Sequence, residues 1–386
     1  MGARILIVSG EASGDLHGGA LIKALRELEP GVEVVGMGGE AMRAQGLRGI
    51  DSRDVSVVGI VEVASRLPAV LEAFRTLKKM LDEERPDAVV LIDFPDFNLR
   101  FAEQARRRGV PVVYYISPQV WAWRRGRVRK IRRMVDLMLV VFPFEVDFYR
   151  AEGVEVRYVG HPLAERAVCA LTQAEARREL GLGVESTVIA LLPGSRRDEL
   201  MRLAPAMAGA CELIAERRDG TVEFVLAAAD TLDDGLIASA LGAAAARIRV
   251  VRGAMYRCLR AADAAVVASG TAALETALMG TPMVIVYRLS PLSYLLGRLL
   301  VRLRWFGLPN IVAGRKIVPE LLQQEVTPRR IALELEALLG DGDRRAAVRA
   351  DLAGLARLLG GGGASMRAAR AVLDVARAAG SKALRR

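Results

Sequence analysis

The chain is 386 residues long, more than one ordinary core holds, so two domains of roughly 150 to 200 residues are expected. Hydrophobic residues make up 52% and the mean hydropathy is +0.25, yet no run reaches the roughly 18 apolar residues of a membrane span, which argues against a chain that crosses a bilayer. The net charge of +10 calls for an anionic partner, and the candidates are nucleic acid, anionic lipid and a phosphorylated substrate.

Met1-Gly2-Ala3-Arg4 leads directly into a short apolar strand, Arg4 to Val8, with no room for a signal peptide, so a cytoplasmic location is expected. The strand feeds the glycine-rich loop Ser9 to Gly18 and then a helix, an arrangement in which α/β proteins build a ligand crevice. That loop carries Glu11 and Asp15 where a phosphate cradle would carry lysine. Carboxylates suit hydroxyls and amines better than a polyphosphate, which they would repel; local capping by Glu11 and a first-turn role for Asp15 are the plainer alternatives. Gly36-Met37-Gly38-Gly39-Glu40-Ala41 matches G-x-G-x-x-A but follows the second strand, Val32 to Gly36, and is weak evidence for a dinucleotide. Further strands at Ala88 to Ile92, Val110 to Ile116 and Leu137 to Phe142 alternate with amphipathic segments, which predicts a parallel sheet wound on both faces. The strand ending at Ile92 delivers Asp93-Phe94-Pro95-Asp96-Phe97-Asn98 to the sheet edge that carries Glu11. A carboxylate there can serve as a general base, although one of Asp93 and Asp96 is a turn or cap residue and the spacing does not say which.

A second series begins after Gly160-His161-Pro162 with a capping box at Thr172-Gln173-Ala174-Glu175. Its strands are expected at Thr187 to Leu192, Glu223 to Ala227, Ile248 to Val251, Ala264 to Ala268 and Met283 to Val286. The fold class is therefore α/β, with two Rossmann-like doubly wound domains facing across a cleft: 1–165, 166–345, and C-terminal helices 346–386 that pack back on the first domain or cross to a second subunit of a homodimer. Gly360 to Gly363 breaks those helices, and the last is expected at Ser365 to Ala379. The strand Thr187 to Leu192 ends in Pro193-Gly194-Ser195-Arg196, where arginine can fork onto a diphosphate. The strand ending at Ala268 enters Ser269-Gly270-Thr271-Ala272, a small-residue turn whose helix N–H groups can hold an anion. Glu275, one helical turn beyond Thr271, can accept hydrogen bonds from ribose hydroxyls.

Other motifs are wanting. No G-x-x-x-x-G-K-[ST] is present, Asp341-Gly342-Asp343 reads as a polar turn, and Cys169, Cys211 and Cys258 with His17 and His161 do not make a zinc site of the usual kind. Two basic, aromatic-containing segments remain. One is Trp121 to Arg133, with Trp121 and Trp123; the other runs from Arg288 to Lys316 without an acid, and its leucines are bordered by Arg298 and Arg302 ahead of Trp305 and Phe306. Basic rims on apolar faces suit anionic lipid headgroups, while a buried helix explains the leucines as well. Nucleic acid is disfavoured because the basic residues flank leucines rather than stacking aromatics.

With these residues in hand the chain resembles the lipid A disaccharide synthase family, glycosyltransferase family 19, of GT-B architecture. The resemblance covers nearly the whole chain and rests on Ser9-Gly10-Glu11-Ala12-Ser13-Gly14-Asp15, Val58-Gly59-Ile60-Val61-Glu62-Val63, Asp93 to Asn98, Ser117-Pro118-Gln119-Val120-Trp121-Ala122-Trp123-Arg124, Leu192 to Arg196, Ala268 to Glu275 and Leu308-Pro309-Asn310-Ile311-Val312-Ala313-Gly314-Arg315. It implies an inverting transfer from UDP-2,3-diacylglucosamine to 2,3-diacylglucosamine 1-phosphate in lipid A biosynthesis, at the inner face of the inner membrane, with no cofactor and no metal required. It selects Asp93 as base with Glu11 orienting the acceptor, and puts Arg196 on the donor diphosphate, Glu275 on the ribose and Asn310 in the catalytic site. Phe94 stands where a small residue is common in that loop. The competing readings are another GT-B enzyme acting on UDP-N-acetylglucosamine, a 2-epimerase or a transferase, and a non-catalytic membrane-surface nucleotide-sugar binder.

Overall fold

A computed structural model of the chain describes residues 2–54, 60–121, 125–218, 222–290, 294 and 304–383. Its contacts divide into two compact units, Met1–Pro162 with Gly362–Arg386, and Leu163–Gly361.

The first unit is built on seven parallel strands: β1 (Arg4–Ser9), β2 (Glu33–Gly38), β3 (Arg48–Asp51), β4 (Ala88–Ile92), β5 (Val112–Tyr115), β6 (Leu137–Val140) and β7 (Val156–Tyr158), in the order β3-β2-β1-β4-β5-β6-β7. Ile5 pairs with Val34 on one side and Ala88 on the other. Every residue of β4, and β1 from Ile5 onward, is buried. Helices on both faces of a parallel sheet remove the need for a polar side, so these strands read as unbroken apolar runs. The order reverses between β1 and β4, and the loops leaving their carboxyl ends part there to form a crevice. That reversal puts Gly10–Glu11 and Asp93–Phe94 side by side.

The helix Ala364–Ala383 belongs to this unit. It lays Ala368, Ala371 and Val372, all fully buried, into the interior and packs on the helix Ala12–Leu28. Arg377 pairs with Glu29 at 2.9 Å, and Arg367 Nε donates to the Val159 carbonyl at 2.7 Å. Of the segment 346–386, expected to pack back on the first domain, the part from Gly362 lies with the first unit and the part before it with the second. The helix Gly342–Leu358 packs on the helices Thr271–Leu278 and Pro328–Gly340 of the second unit. Between the two helices Gly360, Gly361, Gly362 and Gly363 all have positive φ, from 58° to 105°, a run that only glycine accepts without strain.

The second unit has six parallel strands: β8 (Thr187–Leu192), β9 (Val222–Ala228), β10 (Ile248–Arg252), β11 (Ala264–Ala268), β12 (Met283–Tyr287) and β13 (Glu320–Leu322), ordered β10-β9-β8-β11-β12-β13. Its order reverses between β8 and β11, so the turns after Leu192 and Ala268 flank the second crevice. Among the described residues no helix is long and apolar enough to cross a membrane.

Candidate active site

In the second unit the turns after β8 and β11 meet in a pocket of about 510 Å³. Ser195, Arg196, the Ser269–Ala272 turn and Glu275 all line it, so the residues read from the sequence as an anion and ribose site converge on one space. Gly270, at φ 150°, precedes the helix Thr271–Leu278, and no side chain caps that helix. Ser269 does not act as a cap; its hydroxyl donates to the Phe306 carbonyl at 3.1 Å. Glu275 is 9% exposed, and burial raises its carboxyl pKa against the opposing effects of Tyr256 and Arg166. The Tyr256 hydroxyl donates to Glu275 Oε1 at 2.6 Å, which aims the carboxylate.

Sequence reasoning missed Tyr256 and Arg166, both of which line this pocket. Tyr256 sits in the first turn of the helix that follows β10, at the carboxyl edge of the sheet. Applying the strand-end rule to every strand of that sheet, the edge strand β10 included, would have found it. Glu199 was also missed. Its Oε2 accepts from the Ser195 and Arg196 N–H groups at 3.1 and 3.4 Å, and its Oε1 pairs with the exposed Arg196 guanidinium at 3.4 Å.

Asn310 spends its amide on protein partners. It is fully buried; its Oδ1 accepts from the Ile317 and Val318 N–H groups at 2.7 and 3.0 Å, and its Nδ2 donates to the Val318 carbonyl and Glu320 Oε1 at 2.9 and 2.7 Å. All four hydrogen-bonding positions of the amide are thereby used. Glu320 in turn accepts from the Phe306 and Gly307 N–H groups at 3.0 and 2.9 Å. Through Glu320, Asn310 therefore braces the turn whose Phe306 carbonyl accepts from Ser269.

In the first unit Asp93 follows β4 with φ 47°, and Phe94 after it has φ 47° and ψ 57°. Two consecutive non-glycine residues in the left-handed region cost roughly 1–2 kcal/mol each, so something must hold them. Tyr114 Oη donates to the Asp93 carbonyl at 2.6 Å; Asn98 Nδ2 donates to the same carbonyl at 2.7 Å and to that of Ile92 at 3.1 Å. The Phe94 ring stacks on Phe97 at 5.2 Å and fills the space beside Gly10, where a Cβ would come within 2.4 Å of it. Gly10 thus accommodates the bulky Phe94. Burial first, and the nearby Glu11 second, push the Asp93 carboxyl up to about 6. Glu11 is exposed and makes no side-chain cap at the start of its helix. Asp96 is exposed and paired with Arg127, which separates the two aspartates the spacing could not tell apart.

Asp15 is taken up structurally. It is 8% exposed and accepts from the N–H groups of Gly39, Ala41 and Met42 at 2.7, 2.9 and 3.1 Å, holding the turn after β2. Trp121, expected at a membrane surface, is half-buried: its indole N–H donates to Glu145 Oε1 at 3.1 Å and its ring packs edge-on against Phe144. The Glu145 carboxyl lies in the interior, and burial pushes it up to about 7. Trp305 is half-buried, with the Arg304 guanidinium 5.1 Å above its ring. Trp123, Arg298, Arg302, Val58 and Gly59 lie outside the described residues.

Two parallel-sheet α/β units, each with residues of chemical interest at its own strand-order reversal, define the GT-B class of fold. The chain superimposes with a TM-score of 0.65 on a putative UDP-N-acetylglucosamine 2-epimerase from Listeria monocytogenes, at 16% identity over 95% of this chain and 94% of that one. A glycotransferase of kitacinnamycin gives 0.63 at 17% identity, over 97% and 99% of the two chains. The chain itself belongs to the lipid-A-disaccharide synthase family: the family model described as Lipid-A-disaccharide synthetase matches residues 5–373. It is 48% identical to the lipid-A-disaccharide synthase of Syntrophus aciditrophicus over 95% of this chain and 96% of the relative, and 47% identical to that of Geobacter metallireducens over 96% and 97%.

Proposed function

We propose that this glycosyltransferase of lipid A biosynthesis joins UDP-2,3-diacylglucosamine to 2,3-diacylglucosamine 1-phosphate, giving the β-1,6-linked disaccharide 1-phosphate and UDP. The observation that carries the donor side is the gathering of Ser195, Arg196, the Ser269–Ala272 turn and Glu275 around one pocket at the second sheet's reversal. UDP is bound there, with its diphosphate on the helix N–H groups and Arg196 and its ribose on Glu275. On the acceptor side, the Asp93 carboxylate takes the proton of the 6-hydroxyl as that oxygen bonds to the donor C1. The bond from C1 to the UDP oxygen breaks on the opposite face, which inverts the anomeric centre. A base with a pKa of about 6 is ionised at neutral pH and still basic enough to accept the proton. Charge appearing on the departing UDP is stabilised by donors already aimed at it. Incubation with UDP-N-acetylglucosamine in place of the diacylated donor tests the substrate: the reading expects negligible turnover, and efficient use of the unacylated sugar nucleotide would replace it with the epimerase or N-acetylglucosaminyltransferase reading.

The acyl chains require access to a lipid surface, and we place the protein at the inner face of the inner membrane. Arg129, Arg132 and Arg133 are exposed on the helix Val128–Met134 and would meet anionic headgroups, together with Arg298 and Arg302. Changing Arg298 and Arg302 to Glu should lower cosedimentation with anionic liposomes several-fold; unchanged cosedimentation would remove that segment from the docking surface.

A further inference from the structure

Glu199, in the first turn of the helix Arg197–Arg217, caps that helix and holds Arg196, the group that the proposed function puts on the donor diphosphate. Its Oε2 accepts from the Ser195 N–H at 3.1 Å and the Arg196 N–H at 3.4 Å, while Oε1 pairs with the Arg196 guanidinium at 3.4 Å. The carboxylate reaches this position because residue 194 is glycine: at φ 107°, a Cβ on Gly194 would come within 2.3 Å of Glu199 Oε2. Glu199 also lines the pocket formed with the Ser269–Ala272 turn and Glu275. Turn N–H groups beside an arginine make an anion cradle, and a carboxylate laid in it satisfies the cradle as a phosphate oxygen would.

We infer that Glu199 is a built-in competitor of the donor diphosphate, which must displace it to reach the Ser195–Arg196 turn, and which it displaces in turn when UDP departs. The inference rests on the reading of this pocket as the UDP site and deepens it. Its physical basis is that two anions do not share one set of donors: the diphosphate enters only as the carboxylate swings out, and the residual repulsion between them weakens binding. A neutral amide at position 199 can still accept from the turn but repels nothing. The fold keeps its cap while the competition is lost.

The test is isothermal titration of the full chain and of its Glu199→Gln variant with UDP and, separately, with uridine, which has no phosphate. Competition predicts that the variant binds UDP roughly 5- to 10-fold more tightly, that product inhibition by UDP strengthens by the same factor, and that uridine affinity is unchanged. UDP affinity that is unchanged or reduced in the variant, with uridine binding intact, overturns the competition. Parallel loss of UDP and uridine binding overturns it too, because Glu199 is then a structural cap of the turn. If the unaltered protein binds no UDP, the reading of the pocket falls first and the competition falls with it.

Discussion

Replacing Asp93 by Asn should make the protein a much poorer enzyme and a more stable molecule. The Asp93 carboxyl stands at about 6 rather than 3.8 because burial and Glu11 oppose its charge. Folding therefore favours the protonated form. The associated stability is complete below the unfolded pKa near 4 and is lost as pH rises through about 6, so above that pH the ionised carboxylate is a burden on the fold. The interval from 3.8 to about 6 corresponds to about 2–3 kcal/mol. Asn, which carries no charge, should recover that amount at pH 8 and nothing at pH 3.5. Loss of the base should lower kcat by about 10²- to 10⁴-fold while leaving the KM for the donor nearly unchanged, since the donor contacts are proposed on the second unit. Thermal melting at the two pH values, paired with steady-state kinetics, reads both effects. Melting of Asp93→Asn at or below the parent at pH 8 would refute this, as would an equal loss of turnover in Asp96→Asn, which removes a surface partner of Arg127.

Glu11→Gln removes one of the two causes that raise the Asp93 pKa, so the acid limb of the kcat/KM profile should move to lower pH by less than about 1 pH unit, burial being the larger cause. A limb that stays in place would show that Glu11 does not act on Asp93. Asn310→Ala leaves two backbone N–H groups and a carbonyl unpaired in the interior and releases Glu320, which should destabilise the second unit by roughly 2–4 kcal/mol and raise the donor KM. A variant with unaltered melting and a loss confined to kcat would return Asn310 to direct contact with the reacting groups.

The central strands were legible in the sequence because burial on both faces leaves a continuous apolar signature, as in Ile5 to Val8 and Ala264 to Ala268. β3, with the sequence Arg-Gly-Ile-Asp, β7 and β13 were not legible; each has three or four residues and lies at a sheet edge, where polar side chains reach solvent and periodicity has no length to develop. The site was legible to the extent that it sits at strand ends. Glu11, Asp93, Ser195 and Ser269 all leave the strands that flank a reversal of order, and this rule needs only the strands themselves. Roles that depend on distant partners were hidden. Asp15 looks like a ligand acid until the Gly39–Met42 backbone folds over it, and nothing near Asn310 in the sequence reveals that Glu320 returns on β13 to meet its amide. Trp121 reads as a membrane anchor because nothing near it in sequence reveals the buried Glu145 that accepts its indole proton.

The most direct measurement is a timed reaction of the complete chain with UDP-2,3-diacylglucosamine and 2,3-diacylglucosamine 1-phosphate, followed by mass spectrometry of the lipid, quantification of UDP and determination of the anomeric configuration of the new linkage. The account predicts one disaccharide 1-phosphate with a β-1,6 bond for each UDP released, and near loss of both products with Asp93→Asn. UDP released without disaccharide, an α-linked product, or full turnover by Asp93→Asn would contradict it.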